Sequence, residues 1–316
     1  MRDSLEKRAV GAYLGLAVGD ALGATVEFML PSEIQAKHGV HNQICGGGWL
    51  CLKAGEVTDD TTMSLALGDS IICQKGSVKP EAVGKAFDDW MHAKPVDIGD
   101  TVRRGIINFR HRGITEVDYN EWDGGNGACM RTLPIALATY GLGDEKMVEA
   151  SRIQAHITHH NKLSDAGTEC INRMIQMCLD GTDHQALLTG PVNQLITQHP
   201  EFRFRRKRKI MNPSGYIVHT LRAVFEALFD TDNFADCLVN VVNRGGDADT
   251  TGAIAGAVAG AFYGMDSIPN IWLKRLNKSI RKQCTEQALT MIRLAKSHET
   301  TVNDYPTCFS RHPLTC

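Results

Sequence analysis

Two stretches of this chain carry glycine at every fourth position: Gly11, Gly15, Gly19 and Gly23 near the start, and Gly252, Gly256, Gly260 and Gly264 near the end. A spacing of four lines one face of a helix with a groove that holds no side chains. Each glycine costs about 1 kcal/mol of helix propensity relative to alanine, so two such stripes need a packing reason. A membrane dimerisation face would supply one, but the segments are short and the first carries Asp20. The expectation is a pair of central, buried helices whose backbones approach unusually closely, against each other.

The rest of the chain fits that frame. Apolar residues recur at helical spacing in 62–73, 79–92, 148–157, 165–179, 216–228, 233–242 and 253–263, and a helix-like run extends from Glu6 to Phe28. Loops rich in Gly, Asp and Asn separate them (GGGWLCLKAGE, YNEWDGGNGA, NRGGDAD), and strand candidates are few and short. The predicted fold class is all-α: a single multi-helix domain over 1–297, with its chemistry on loops at helix ends and an irregular tail over 298–316.

A net charge of −2 argues against a surface built wholly for nucleic acid or membrane. No uncharged apolar run reaches 18 residues, so no membrane span is expected, and the first residues, MRDSLEKRAVGAY, lack the apolar region of a secretion signal. The ten cysteines show no C-x-x-C pair, which points to reduced thiols in a cytoplasmic protein rather than to disulfides or zinc.

Two acid clusters sit at predicted helix starts. GEVTDDTT places Thr58, Asp59 and Asp60 where an N-cap belongs, and one Asp would suffice for capping. GGDADTTG places Asp247, Asp249 and Thr250 likewise; it imitates an EF-hand loop, but position 12 is Val258 where that loop needs a bidentate Glu. What remains is one chemical set used twice, of hard oxygen donors suited to Mg²⁺ or Mn²⁺. If the clusters converge they can hold two metal ions, which also answers the cost of burying the charges. Glu27, one heptad after Asp20, is expected on the same face of the first helix.

Five segments in order, GAYLGLAVGDALGATVEFM, GEVTDDTTMSLALG, KPVDIGDTVRRGI, GNGACMRTLPIALA and NRGGDADTTGAIAGAVAGAFYG, resemble the ADP-ribosylglycohydrolase family over about 11–276. Within it the resemblance is strongest to the hydrolases that reactivate ADP-ribosylated dinitrogenase reductase. The resemblance implies an all-helical fold with a binuclear metal cleft and two Mg²⁺ or Mn²⁺ ions held by Thr58, Asp59, Asp60, Asp247, Asp249 and Thr250. It further implies catalytic roles for Glu27 and Asp97, and substrate contacts from Gly124, Asn126, Gly127, His159 and Tyr216.

The implied reaction is hydrolysis of the bond between ADP-ribose and an arginine side chain on a modified protein, either dinitrogenase reductase or the target of a toxin. Glu27 or Asp97 would serve as the base or stabilise the cation, and the monomer is the expected state. An alternative is an immunity protein that neutralises an ADP-ribosyltransferase toxin by hydrolysis or by capping it. FRFRRKRKI (202–210) departs from the relatives in its six basic residues, and reads as a solvated loop or a contact for an acidic protein or substrate phosphates. No nucleic-acid partner is implied.

Overall fold

The computed structural model describes residues 2–205 and 207–303. Its axis is the antiparallel pair formed by α1 (Arg2–Gly23) and α14 (Ala248–Tyr263). The other helices up to that point are α2 (Pro31–His38), α3 (Asp59–Cys73), α4 (Pro80–His92), α5 (Asp100–Arg112), α6 (Gly127–Met130), α7 (Leu133–Ala138) and α8 (Asp144–His156). They continue as α9 (Lys162–Leu179), α10 (His184–Leu187), α11 (Asn193–Gln198), α12 (Ile217–Phe229) and α13 (Phe234–Val242). After α14 come α15 (Asn270–Arg275) and α16 (Lys278–Asn303). Among the described residues there is no β-strand, only isolated bridges between Gly47 and Leu52 and between Gly125 and Tyr216. Among the described residues no helix is long and apolar enough to cross a membrane.

The two glycine stripes face each other. A Cβ on Gly15 would lie 2.1 Å from the Gly256 carbonyl oxygen, and one on Gly256 would lie 2.0 Å from that of Gly15. Gly19 meets Gly252 and Gly11 meets Gly260 in the same way. Real side chains essentially never approach backbone so closely, so these positions must be glycine for the helices to touch. At the ends of the seam, Gly23 faces Ala248, while Gly264, whose carbonyl carbon would lie 2.8 Å from a Cβ on Gly11, turns the chain at φ +79°. Six of the eight glycines therefore build the seam in pairs, and the seventh packs on alanine.

Around this pair, α9, α12 and α13 flank α14, and α3 and α16 lie against α1. From Ala9 to Glu27 every residue is buried, as is every residue of α14 up to Ala261. Segments without an apolar stripe on one side alone are thus explained: both helices are enclosed on all sides. Helix starts follow local chemistry. Asn161 caps α9 by accepting from the backbone of Leu163 and Ser164, and Asn233 caps α13 by accepting from Asp236.

Three expectations are corrected. The first helix ends at Gly23, not near Phe28, so Glu27 lies in the turn beyond it rather than on a helical face shared with Asp20. That turn closes through Val26 N–H to Gly23 O and passes through Phe28 at φ +60°. Both acid clusters begin their helices earlier than periodicity suggested, α3 at Asp59 and α14 at Ala248, because apolar periodicity cannot register polar residues buried in a first turn. Helix α16 runs to Asn303, into the stretch expected to be irregular, and 304–316 lie outside the described residues.

Candidate active site

The seam sets the site. Its antiparallel sense lays the C-terminal end of α1 beside the start of α14, with Gly23 against the Ala248 carbonyl and Asp249 Cα. Asp20, on the last turns of α1, then reaches the start of α3. Its carboxylate accepts from Thr58 N–H (3.0 and 3.1 Å), Thr61 N–H (3.1 Å) and the Thr61 hydroxyl (2.5 Å). Asp20 is fully buried and satisfies orphan donors of the α3 N-terminus from another helix. In the sequence it stands as a charge within a glycine-striped helix and as the heptad neighbour of Glu27, without this role. Its position one turn before Gly23 was the available signal.

With Asp20 serving that end, the carboxylates of Asp59 and Asp60 are released from capping. Thr58 is the N-cap of α3, accepting from Asp60 N–H (3.4 Å), and its hydroxyl donates to Asp60 Oδ2 (3.1 Å). Thr250 donates to the same oxygen from α14 (3.3 Å), so the two acid clusters do converge. The other oxygen, Asp60 Oδ1, is buried with no hydrogen-bond partner.

Across the cleft, Asp247 occupies the N-cap position of α14 but its side chain makes no cap bond. It accepts instead from the Asn126 amide (2.5 Å), which also donates to Thr220. Gly245 and Gly246 both have positive φ, at +68° and +65°. A Cβ on either would lie 2.1 Å from a carbonyl oxygen, of Met29 and Pro213 respectively. This close approach lets Phe28 N–H donate to Gly246 O (2.7 Å) and Gly246 N–H to Met29 O (3.1 Å), which ties the Glu27 turn to the α14 start. Glu27, Asp247 and Asp249 consequently each bring a carboxylate oxygen within 4.8 Å of the others'. Trp49 donates its indole N–H to Glu27 Oε2 (2.7 Å).

These groups border a cavity of about 280 Å³, lined by Glu27, Asp59, Asp97, Asn126, Gly127, His159, Asp247, Asp249 and Thr250 among others. Thr58 and Asp60 are buried and do not border it. Asp97 is half-buried; one of its oxygens accepts from Ile98 N–H (2.8 Å), and the N-cap of α5 is Gly99, so Asp97 caps no helix. Gly124 and Tyr216 stand outside the lining. The Tyr216 ring packs on Gly124, where a Cβ would lie 2.9 Å from Cε2, and it remains 38% exposed, so it is not a core residue.

The loop glycines have a second use. A Cβ on Gly127 would lie 2.7 Å from His159 Cε1, and one on Gly125 would lie 3.0 Å from Nε2. The backbone thus closes over the imidazole. His159 is buried, with Nδ1 2.8 Å from the Thr158 hydroxyl, which accepts from the Arg131 guanidinium (2.7 Å). Arg131 is an obligate donor, so the Thr158 hydrogen is available to Nδ1 and the imidazole then carries its proton on Nε2. Burial, reinforced by Arg131 and Arg104, pushes His159 down to about 3, so it is neutral.

Arg131 itself is wholly buried, donating to Gln154 and Thr158, and was not anticipated from sequence. Burial draws it down to about 9 while the nearby Asp59 opposes the fall, so it keeps its charge at neutral pH.

The electrostatics are those of crowded, dry carboxylates. Burial pushes Glu27 up to about 8, with Asp247 and Asp97 adding to the rise and Trp49 opposing it. Asp59 is pushed to about 7 by burial and by Asp97, Asp20 and Asp247, and Asp20 to about 6 by burial. Asp60 is raised well above the ordinary range by burial and by Asp20, Asp59 and Asp247, and Asp249 by burial and by Asp60, Glu27, Asp247 and Asp20. Such a group of acids is stable when ionised only with cations among them. The donor set is all hard oxygen and includes a buried carboxylate oxygen with no donor, which fits Mg²⁺ or Mn²⁺.

The basic segment stands apart. Phe202 and Phe204 anchor it, while Arg203, Arg205, Lys207, Arg208 and Lys209 are exposed and none lines the cavity. Arg206 lies outside the described residues. The arrangement matches a solvated loop better than a contact with a ligand in the cavity.

Comparison with known proteins agrees with this geometry. A family model described as ADP-ribosylglycohydrolase matches residues 1–303. The chain is 47% identical to the ADP-ribosyl-[dinitrogen reductase] glycohydrolase of Rhodospirillum rubrum over 294 residues, 92% of this chain and 98% of that protein. It is 32% identical to the ADP-ribosylarginine hydrolase Tri1 of Pseudomonas putida (strain GB-1), over 89% of this chain and 77% of that one. A solved structure titled "ADP-ribosylglycohydrolase-related protein complex" superposes with a TM-score of 0.82 at 30% identity, covering 93% of this chain and 99% of its own. With the family match spanning 1–303, the chain belongs to the ADP-ribosylglycohydrolase family and is a hydrolase of ADP-ribosyl glycosidic bonds.

Proposed function

We propose that the enzyme cleaves the N-glycosidic bond between ADP-ribose and an arginine side chain of a modified protein, with two Mg²⁺ or Mn²⁺ ions in the cleft. The observation that carries this reading is the convergence of two threonine–carboxylate clusters, joined at Asp60 Oδ2, on one small cavity. Thr58, Asp59, Asp60, Asp247, Asp249 and Thr250 are the proposed metal ligands. Glu27 lies close enough to Asp247 and Asp249 to join them. When bound, the ions supply charge neutralisation for the acids, orientation of ribose hydroxyls and acidification of water.

The chain's own groups have distinct tasks. Cleavage of an N-glycosidic bond develops positive charge at the anomeric carbon, which the carboxylates around the cavity stabilise. Asp97 faces the cavity with one oxygen engaged by Ile98, so its other oxygen is placed to take a proton from the attacking water. Glu27, fixed by Trp49, holds negative charge near the ribose. His159, neutral with its hydrogen on Nε2, offers a donor without adding a charge that would oppose the cation. Gly124, Asn126 and Gly127 shape the loop that receives phosphate and ribose, Asn126 also holding Asp247 in place. Tyr216, part-exposed beside that loop, is placed to stack on the adenine.

Dinitrogen reductase is the favoured protein target, since the relative that acts on it is similar over almost its whole length. The test is release of ADP-ribose from arginine-ADP-ribosylated protein with Mg²⁺ or Mn²⁺, compared with chelator and with an Asp60→Ala, Asp247→Ala variant. Release by the wild type that survives chelation, or is equal in the variant, would overturn the metal reading. Absence of release from dinitrogen reductase, with release from another ADP-ribosylarginine protein, would overturn the target alone.

A further inference from the structure

Outside the cleft, the described residues hold a second group of metal-capable side chains, of different chemistry. Glu116, His156 and His160 bring one donor atom each within 4.8 Å of one another. His156 closes α8, His160 follows it across a short turn, and Glu116 stands on the connection after α5. Glu116 Oε1 lies 3.4 Å from His156 Nδ1 and 3.7 Å from His160 Nδ1. Two ligands about 2.0–2.1 Å from a tetrahedral zinc ion stand about 3.4 Å apart, so these spacings approximate the edges of such a site.

The far side of the ring is also prepared. His156 Nε2 is 3.1 Å from an oxygen of Asp165, a half-buried carboxylate on α9. A carboxylate on the second nitrogen is the arrangement that fixes tautomer and orientation in metal-binding histidines. The two imidazoles are stacked, with centroids 3.9 Å apart and planes at 22°, and Tyr119 meets His160 edge-on. Both Nδ1 atoms face the same glutamate oxygen, and because an ion held in the plane of each ring at the tetrahedral angle needs centroids about 5 Å apart, one imidazole must swing out of the stack to bind it.

We propose that Glu116, His156 and His160 form a binding site for a borderline transition-metal ion, Zn²⁺ in particular, with Asp165 orienting His156. Two imidazoles and one carboxylate select this class, whereas the all-oxygen cleft selects Mg²⁺ or Mn²⁺. Three protein ligands leave one tetrahedral position for water. Binding displaces the hydrogen bond from His160 Nδ1 to the Val117 carbonyl (2.8 Å) and the direct contact of His156 Nδ1 with Glu116 Oε1 (3.4 Å).

The site would brace the loop that leads into the catalytic cleft. Val117 N–H already donates to His156 O and Asn120 N–H to His160 O, and Asn161 donates to the carbonyls of Asn120 and Glu121. His159, between the two histidine segments, lines the cavity.

The experiment titrates the full chain with Zn²⁺ in excess Mg²⁺, reading stoichiometry by calorimetry and melting temperature by scanning. One zinc ion per chain is expected, with a rise in melting temperature. Glu116→Gln and His160→Gln should each abolish that rise, and Asp165→Asn should weaken binding about 10–100-fold. Glu116 is largely exposed, so its variant should melt like the wild type without zinc. Co²⁺ in place of Zn²⁺ should give ligand-field bands without thiolate charge transfer, which separates this site from the exposed Cys45, Cys51 and Cys73. Zinc binding unchanged in both Gln variants, a thiolate band, loss of zinc only in the Asp60→Ala variant, or no bound zinc would each overturn the proposal.

Discussion

Gly15→Ala isolates the role of the helix seam. Its Cβ would stand 2.1 Å from Gly256 O and 2.9 Å from Gly256 C, both backbone atoms that cannot swing aside. Restoring a tolerable 3.4 Å contact requires α1 and α14 to separate by about 1.3 Å, within a helix pair enclosed on all sides. Overpacking of this kind costs up to about 3 kcal/mol, and the better helix propensity of alanine returns about 1 kcal/mol. The net loss is about 2 kcal/mol, or a fall in melting temperature of roughly 3 °C for a chain of this size.

The same separation moves Asp20 and Glu27 away from Asp247 and Asp249, so metal affinity should fall together with stability. Gly256→Ala places its own Cβ 2.0 Å from Gly15 O, and a single separation relieves both clashes. The double variant should therefore lose less than the sum of the singles, by about 0.5–3 kcal/mol. Gly167→Ala in α9 is the contrast: its Cβ would meet only the side chains of Leu221 and Ile217, at 2.8 and 2.9 Å, which can shift. Scanning calorimetry of the four proteins checks the series. A Gly15→Ala protein melting at or above the wild type, or strict additivity in the double variant, would refute the reasoning.

Removing metals should expose the cost of the acid cluster. Glu27, Asp59 and Asp20 have folded pKa values of about 8, 7 and 6, above their ordinary 4.5, 3.8 and 3.8, so the folded chain binds more protons than the unfolded one. Stability in chelator is then full below about pH 4, falls as pH rises to about 8 and levels off beyond, whereas added Mn²⁺ should flatten the curve; a flat melting curve in chelator from pH 5 to 8 would contradict it. Asn126→Ala removes the amide that orients Asp247 and should lower activity or metal affinity about 10–100-fold at little cost to folding, measured by steady-state kinetics and Mn²⁺ titration. Asp20→Ala strands the backbone donors of Thr58 and Thr61 and the Thr61 hydroxyl, and should cost about 3 kcal/mol in denaturant unfolding; a loss below about 1 kcal/mol would show that water replaces the carboxylate.

Much of the site was legible because its residue types are improbable where they stand. Paired acids with threonines at two helix starts exceed what capping requires, and that excess pointed to Asp59, Asp60, Asp247 and Asp249 before any geometry was known. Asp20 and Arg131 were not legible in the same way. Each lies in an apolar helical context, and each matters through partners remote in sequence: Thr58 and Thr61 for Asp20, Gln154 and Thr158 for Arg131. Glu27 was found but misplaced, since helical periodicity continues through letters that the backbone does not follow beyond Gly23.

By itself the sequence determined the all-helical class, the two glycine seams and the oxygen-rich character of the site, because helical period, side-chain absence and ligand hardness are properties of local residue patterns. Tertiary structure alone decided that the seams pair with each other in antiparallel register, offset so that Gly23 meets Ala248. From that offset follow the meeting of the α1 end with the α3 and α14 starts, the raised carboxylate pKa values and the cavity. Burial and proximity between distant segments are set by packing, and no local pattern encodes them.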